Sequence, residues 1–332
     1  MSASRGNAFG LSKVALGAVV MLGATLCGRP ARAWDDFGHM EVAAVAFKKL
    51  HPTTKQNVAR LLKMNPRYTN WIVGARRGDE DRMAFMRAAT WADSIKVDPH
   101  YKDDAQAAAT AGQNIGYGDL LRHGYWHFID QPLSPDGTPL VPAPSPNVAT
   151  QIAAFRTALA APATGDDVRS YDLVWLLHLV GDVHQPLHCV SRYDAADLQG
   201  DRGGNLVRIM GNTPPPVCDD PRYCPFGPPT ELHAFYDDIL GAGYAVGPVE
   251  EAAAHLPAPD PKLAAIGDEK VWIQEGLELA RSSVYVPPIG VGDGPFSITP
   301  QFQKAAADLG RRRIALAGAR LANLLNAALG PE

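Results

Sequence analysis

The chain has no surplus of positive charge, few cysteines and little strand pattern, and each shortage narrows what it can be. Among its 332 residues, 31 lysines and arginines face 35 aspartates and glutamates, for a net charge of −4. A protein that grips duplex nucleic acid by bulk charge needs the opposite balance. A nucleic-acid substrate held through bound cations stays compatible with it. Four cysteines are too few for a disulfide-framed scaffold. No His-Glu-x-x-His run occurs, which argues against a helix-borne zinc protease, and no Asn-x-Ser/Thr acceptor follows residue 33. Internal repeats and Ser/Gly linkers are missing too. What is plentiful is apolar residue, 46 % against 20 % charged, enough for a sizeable core and too much for a disordered chain.

The N-terminus reads as a secretory signal. Arg5 and Lys13 give it a positive start, and Val14 to Gly28 is an apolar run too short for a comfortable membrane span. Ala31-Arg32-Ala33 then supplies a small-x-small cleavage site. Residues 1–33 are therefore expected to leave, with cleavage after Ala33 and a secreted or periplasmic product carrying no membrane anchor. Removal takes four basic and no acidic residues, leaving a mature charge of −8. Cys27 departs with the signal. Of the remaining cysteines, Cys218 and Cys224 flank a short loop and can pair in an oxidising compartment, and Cys189 reads as a buried structural thiol.

Helical periodicity dominates the rest. Apolar spacing predicts helices over Glu41 to Leu62 with a break at Pro52, and over Val148 to Leu159, Tyr171 to Val183, Ile266 to Val284 and Gln301 to Leu329. The best strand candidate is Gly204 to Met210, one arm of a small β-hairpin. Pro132 to Pro146 and Pro214 to Pro229 read as long loops. The expected architecture is mainly α, one helical domain over 34–332 with functional loops.

One stretch stands out chemically: Leu177-His178-Leu179-Val180-Gly181-Asp182-Val183-His184-Gln185-Pro186-Leu187-His188. His178 and Asp182 lie four apart, hence on one helix face a turn apart, where an imidazole and a carboxylate can hold one metal. Pro186 should end the helix and send His188 on a new heading, toward a second metal. His184 is offset from the His178/Asp182 face and reads as a supporting residue. His233 and Asp237 repeat the four-residue spacing. Three more pieces carry candidate ligands: Trp91-Ala92-Asp93-Ser94-Ile95-Lys96, Trp126-His127-Phe128-Ile129-Asp130, and the expected new terminus Trp34-Asp35-Asp36-Phe37-Gly38-His39.

Taken together these motifs resemble the zinc-dependent, single-strand-specific nucleases of the S1/P1 type, which share a fold with bacterial zinc phospholipases C. The resemblance touches every ligand-bearing motif from Trp34 to Asp237. It continues more loosely into Tyr285-Val286-Pro287-Pro288-Ile289 and Ala317 to Ala322. Members of that family begin, after cleavage, with a Trp whose amine and carbonyl bind zinc, which matches Trp34. The resemblance implies three zinc ions: Asp93, His127, His178 and Asp182 around the first, Trp34, His39 and a bridging Asp182 around its neighbour, and His188, His233 and Asp237 around a third. A donor set of imidazoles, carboxylates and an amine, without thiolates, suits open hydrolytic sites.

The same resemblance implies Asp93 and Lys96 as catalytic side chains. Asp93 would orient the attacking water or take its proton, and Lys96 would neutralise phosphate charge. Phe128 would stack a nucleobase, with Asp130, Gly203, Gly204 and Asn205 at the base edge. The implied activity is that of an endonuclease and 3′-nucleotidase on single-stranded RNA and DNA, leaving 5′-phosphates, with no stable protein partner. Rival readings are a zinc phospholipase C-like phosphodiesterase and a non-catalytic zinc-binding protein. The phospholipases usually place Glu where this chain has Asp237 and lack the Gly-Gly-Asn loop. This chain departs from the family in its Pro/Cys loop over 209–229, in Glu231 where Asn is usual, and in Tyr236 where Trp is usual.

Overall fold

In the computed structural model of the chain, residues 34–211 and 228–330 are described. Cys218, Cys224 and the signal segment lie outside them. Twelve α-helices follow one another among the described residues: α1 Asp36–Lys49, α2 Pro52–Leu62, α3 Tyr68–Trp71, α4 Glu80–Ala88, α5 Trp91–Ser94, α6 Val148–Ala160, α7 Asp166–Asp182, α8 Leu232–Asp237, α9 Val246–Ala254, α10 Pro261–Ala264, α11 Glu269–Leu279 and α12 Pro300–Leu329. Pro52 divides the first predicted helix as expected, standing at the first turn of α2 where its missing N–H costs nothing. Helix α11 starts three residues later than its periodicity suggests because Asp268 caps it, accepting from the Lys270 N–H. Its last turn widens into a π-turn over Ala280–Val284. Cys189 is free and buried, as read from the sequence.

Strand structure is slight. The pairs β1 (Pro132–Leu133) with β2 (Ser191–Arg192), and β3 (Ile209–Met210) with β4 (Phe296–Ser297), are both parallel and two residues long. The hairpin arm predicted over Gly204 to Met210 shrinks to one antiparallel bridge, Arg208 with Glu231. Two bonds flank it, Ile209 N–H to Thr230 O at 2.9 Å and Leu232 N–H to Val207 O at 2.9 Å. They form a neck that closes the 209–229 segment immediately before α8.

Helix α7 is the axis of the fold. From Ser170 to Asp182 every residue is buried, so it has no amphipathic face and packs on all sides. Trp175 sits at its centre among Trp91, Trp126, Phe155 and Tyr171, with ring centroids 5.0–6.3 Å apart. These edge-on and offset contacts join α5, α6, α7 and the 3-10 turn Gly124–His127. A second apolar cluster, including Leu187, Val207, Leu232, Phe235, Val284 and Phe302, packs α8, α11 and α12 together. No helix among the described residues is long and apolar enough to cross a membrane.

Asp172, inside α7, is fully buried, and neither carboxylate oxygen has a well-placed donor. Burial pushes its carboxyl up to about 8, against an opposing pull from Asn114. The folded chain thus keeps a proton that the unfolded chain releases near pH ~4. Stability contributed by this group falls as pH rises from about 4 to 8 and is level above. Asp172→Asn is expected to remove that slope and raise Tm at pH 7.5. A pH series of thermal melts checks it, with an equal or lower Tm at pH 7.5 as the contrary result.

Candidate metal centre and active site

The C-terminal end of α7 brings His178 and Asp182 to one point, as their spacing predicts. Around that point stand His39 from the first turns of α1, Asp93 from α5 and His127 from the Gly124–His127 turn, all of them buried. His178 Nε2 lies 3.0 Å from His127 Nδ1, 3.3 Å from Asp182 Oδ1 and 3.6 Å from Asp93 Oδ1. Asp182 faces both ways: Oδ1 is 3.3 Å from His39 Nε2, and Oδ2 is 3.0 Å from His127 Nδ1. The five side chains form one continuous cluster. Their donors fall into two overlapping groups able to hold a metal, His39/Asp93/His178 and His127/His178/Asp182.

His39 reaches this position through a glycine. It stacks on His178 with centroids 3.8 Å apart and planes 18° from parallel. A Cβ on Gly181 would come within 2.8 Å of the His39 ring. Only glycine at 181 lets the ring lie against α7, one residue before Asp182.

A second cluster stands on the turn beyond α7. Pro186 opens a 3-10 turn over Pro186–Cys189 that redirects the chain, and His188 meets His233 and Asp237 of α8. His188 Nε2 and His233 Nε2 are 3.1 Å apart, and His233 Nε2 is 3.5 Å from Asp237 Oδ2. His233 and Asp237 thus use their four-residue spacing as predicted. The two clusters are stitched together: His188 donates from Nδ1 to His127 O at 2.8 Å, while Ile129 N–H donates to His188 O at 2.9 Å. The β1–β2 pair continues this seam.

Two observations fit both clusters to cations, and a third bears on the first cluster. His178, His188 and His233 each give Nδ1 to a main-chain carbonyl, of Ala89, His127 and Gly203 respectively, at 2.7–2.8 Å. This fixes the tautomer and leaves Nε2 as a lone-pair donor. Ligand atoms on a tetrahedral zinc with bonds of ~2.0–2.1 Å sit about 3.3 Å apart, close to the spacings here. Finally, in the first cluster both ring nitrogens of His39, Nε2 of His127, Oδ2 of Asp93 and Oδ1 of Asp182 are buried without a hydrogen bond of good geometry. Buried polar atoms in such number are costly unless something completes them.

Electrostatics agree. Burial drives His39 and His178 down to about 4, so both rings are neutral ligands at pH 7. Asp182 is raised by burial to about 8, while Asp93, though burial also lifts it, is held well below the usual range by Lys96 and the neighbouring histidines. Two carboxylates of opposite tendency in one pocket mark a functional site. Lys96 Nζ lies 2.7 Å from Asp93 Oδ1, one turn on, and is nearly buried.

The remaining expected residues are placed as follows. Trp34 is fully buried and its indole donates to Gly181 O at 3.1 Å; Asp35 N–H donates to Asp237 O at 3.1 Å. Phe128 and Asp130 are half-buried on the segment after His127. Burial and Asp201 raise the Asp130 carboxyl to about 6, and Arg202 opposes them. Gly203 and Gly204 both have positive φ, 62° and 81°; a Cβ on Gly203 would come within 2.3 Å of Leu187 O, whereas one on Gly204 would meet Leu187 and the His233 backbone nitrogen only at ordinary contact distance, 3.4–3.5 Å. Their need for glycine is met inside the protein, where Gly203 O receives His233. Asn205 folds back, giving Nδ2 to Arg202 O at 2.7 Å.

His184, read from the sequence as a supporting residue, is held by partners that the sequence did not indicate. His184 faces away from the donors: Nδ1 donates to Val180 O at 2.7 Å, and Nε2 lies 3.0 Å from Arg320. Arg313 donates to His184 O, and Glu275 joins Arg313 to Arg320. Asp201 accepts from the Arg192 N–H and from Tyr285 Oη, anchoring the glycine loop. Gln185 touches Asp237 directly. His184 and Gln185 lie in the Leu177 to His188 stretch, and Tyr285 and Arg320 in the looser stretches near the end; their pairings cross long sequence separations.

A comparison with curated proteins finds no significant match. The family model described as S1/P1 Nuclease matches residues 34–330, nearly the whole chain. That span holds every donor named above, and the chain belongs to the S1/P1 nuclease family, metal-dependent hydrolases that cut phosphodiester bonds of nucleic acid.

Proposed function

We propose that the chain is exported, cut after Ala33, and acts from Trp34 onward as a zinc-dependent endonuclease and 3′-nucleotidase on single-stranded RNA and DNA, leaving 5′-phosphates. The observation that carries this reading is the convergence of eight buried His and Asp side chains into two adjoining clusters, the first of them incompletely satisfied. Asp93, His127, His178 and Asp182 would hold one zinc, Trp34, His39 and Asp182 a second, and His188, His233 and Asp237 a third. Zinc, when bound, supplies Lewis-acid polarisation of the phosphate and makes water nucleophilic near neutral pH.

The chain's own residues divide the remaining work. Asp93, kept ionised, accepts the proton of the attacking water or fixes its lone pair on phosphorus. Lys96, against Asp93, offsets negative charge growing on the phosphate oxygens. Phe128 offers a half-buried ring to a base released from the stack, a contact tolerant of base identity. Asp130 stands two residues on and accepts hydrogen bonds from a base edge above pH ~6.

The test is one panel on protein beginning at Trp34: metal content, then turnover of single-stranded DNA, RNA, a 3′-nucleotide, duplex DNA and phosphatidylcholine. About three zinc atoms per chain and turnover of the first three substrates are expected. Lipid turnover without nucleic-acid cleavage assigns the chain to phospholipase chemistry. Bound zinc with no hydrolysis of any ester assigns it to metal binding alone.

A further inference from the structure

We propose that Gln185 is the positioning residue of the His188/His233/Asp237 cluster, holding Asp237 to one free oxygen while seating the turn that carries His188. The inference rests on the functional reading above. Gln185 is fully buried between the two clusters, and its backbone N–H donates to Asp182 O at 2.9 Å. Its side-chain Oε1 accepts from the Leu187 N–H at 2.6 Å, and its Nε2 donates to Asp237 Oδ1 at 2.8 Å.

The orientation of this amide is forced. A main-chain N–H can only donate, so the atom facing Leu187 is the carbonyl oxygen. The NH2 group must then face Asp237. With Oδ1 engaged, Oδ2 is the oxygen that faces His233 Nε2, at 3.5 Å. A carboxylate without this donor is free to rotate or to chelate through both oxygens. The same amide caps the Pro186–Cys189 turn, so one side chain fixes two ligands that are 49 residues apart in number, His188 and Asp237. Asp35 N–H on Asp237 O steadies the main chain of that residue but leaves its carboxylate untouched.

Partners of metal ligands typically change metal affinity by about 10–100-fold when removed. Gln185→Met keeps the length and volume and removes both hydrogen-bonding groups. Gln185→Glu keeps the acceptor for Leu187 and replaces the donor to Asp237. Protein stripped with chelator is titrated with zinc, and separately loaded with cobalt for its visible spectrum.

Wild type is expected to take up three ions. In Gln185→Met one of them weakens by about 10–100-fold and two keep their affinity, with unchanged circular dichroism before loading. In Gln185→Glu the cobalt spectrum changes for that one ion alone. Three ions bound by both variants with wild-type affinities and spectra would overturn the inference and leave the functional reading standing. Loss of all three together with loss of the metal-free fold, in both variants, also overturns it. Wild type that binds no metal would sink the functional reading and this inference with it.

Discussion

Asp182→Asn is expected to lower turnover of single-stranded DNA by about 10³-fold or more, since the several kcal/mol a metal contributes to a phosphoryl transition state amount to a factor of ten per 1.36 kcal/mol. Asp182 faces three histidines at 3.0–3.3 Å, His39 and His178 through Oδ1 and His127 through Oδ2. An amide keeps the shape but gives a weaker oxygen ligand on one side and turns an N–H toward the cluster on the other. The stability signature should separate this from damage to the fold. Without metal, burial holds the Asp182 carboxyl at about 8, so at pH 7 it is largely protonated and asparagine closely imitates it. The chelated variant should therefore melt with chelated wild type. The rise in Tm that zinc gives wild type should shrink in the variant, because a ligand stabilises only in proportion to its affinity for the folded state. Full metal content with undiminished kcat would contradict the assignment.

A variant that retains one residue before Trp34, verified by intact mass, is expected to lose activity by at least ~10²-fold and to bind one zinc fewer, more than the 10–100-fold typical of an outlying support. Two contacts hold the terminus without slack: the Trp34 indole on Gly181 O and the Asp35 N–H on Asp237 O, both at 3.1 Å. A free α-amine, with a pKa near ~8, gives up its proton to a metal readily. The same nitrogen in a peptide bond has no available lone pair for a metal. Trimming the extra residue with an aminopeptidase should restore both metal and activity. An extended protein with full kcat and three zinc atoms would refute the role.

Much of the site was legible because it rests on local geometry. The four-residue spacings of His178/Asp182 and His233/Asp237 mean one helix face whatever the fold, and both pairs lie on helices. Pro52 and Pro186 act where a missing N–H dictates. What stayed hidden depends on distant segments meeting. Nothing near His184 announces Arg313 or Arg320, which lie 129 and 136 residues away. At Gly203 the Leu187 carbonyl stands where a side chain would begin, a close approach between segments that the loop's own sequence does not show. The strand prediction over Gly204 to Met210 overran because alternation marks a half-buried extended chain, and pairing partners exist for only a few of its residues.

The neck at Arg208 and Glu231 has a mechanical consequence. Its flanking bonds fix Val207 against Leu232, one residue before the ligand His233. Whatever is threaded between positions 209 and 230 begins and ends at a clamped pair, so its length does not propagate to the imidazole. Doubling such a segment costs only about 0.6 kcal/mol in closure entropy. The position of His233 is therefore set by the neck and by Leu232 rather than by the length of chain between the two sides of the neck.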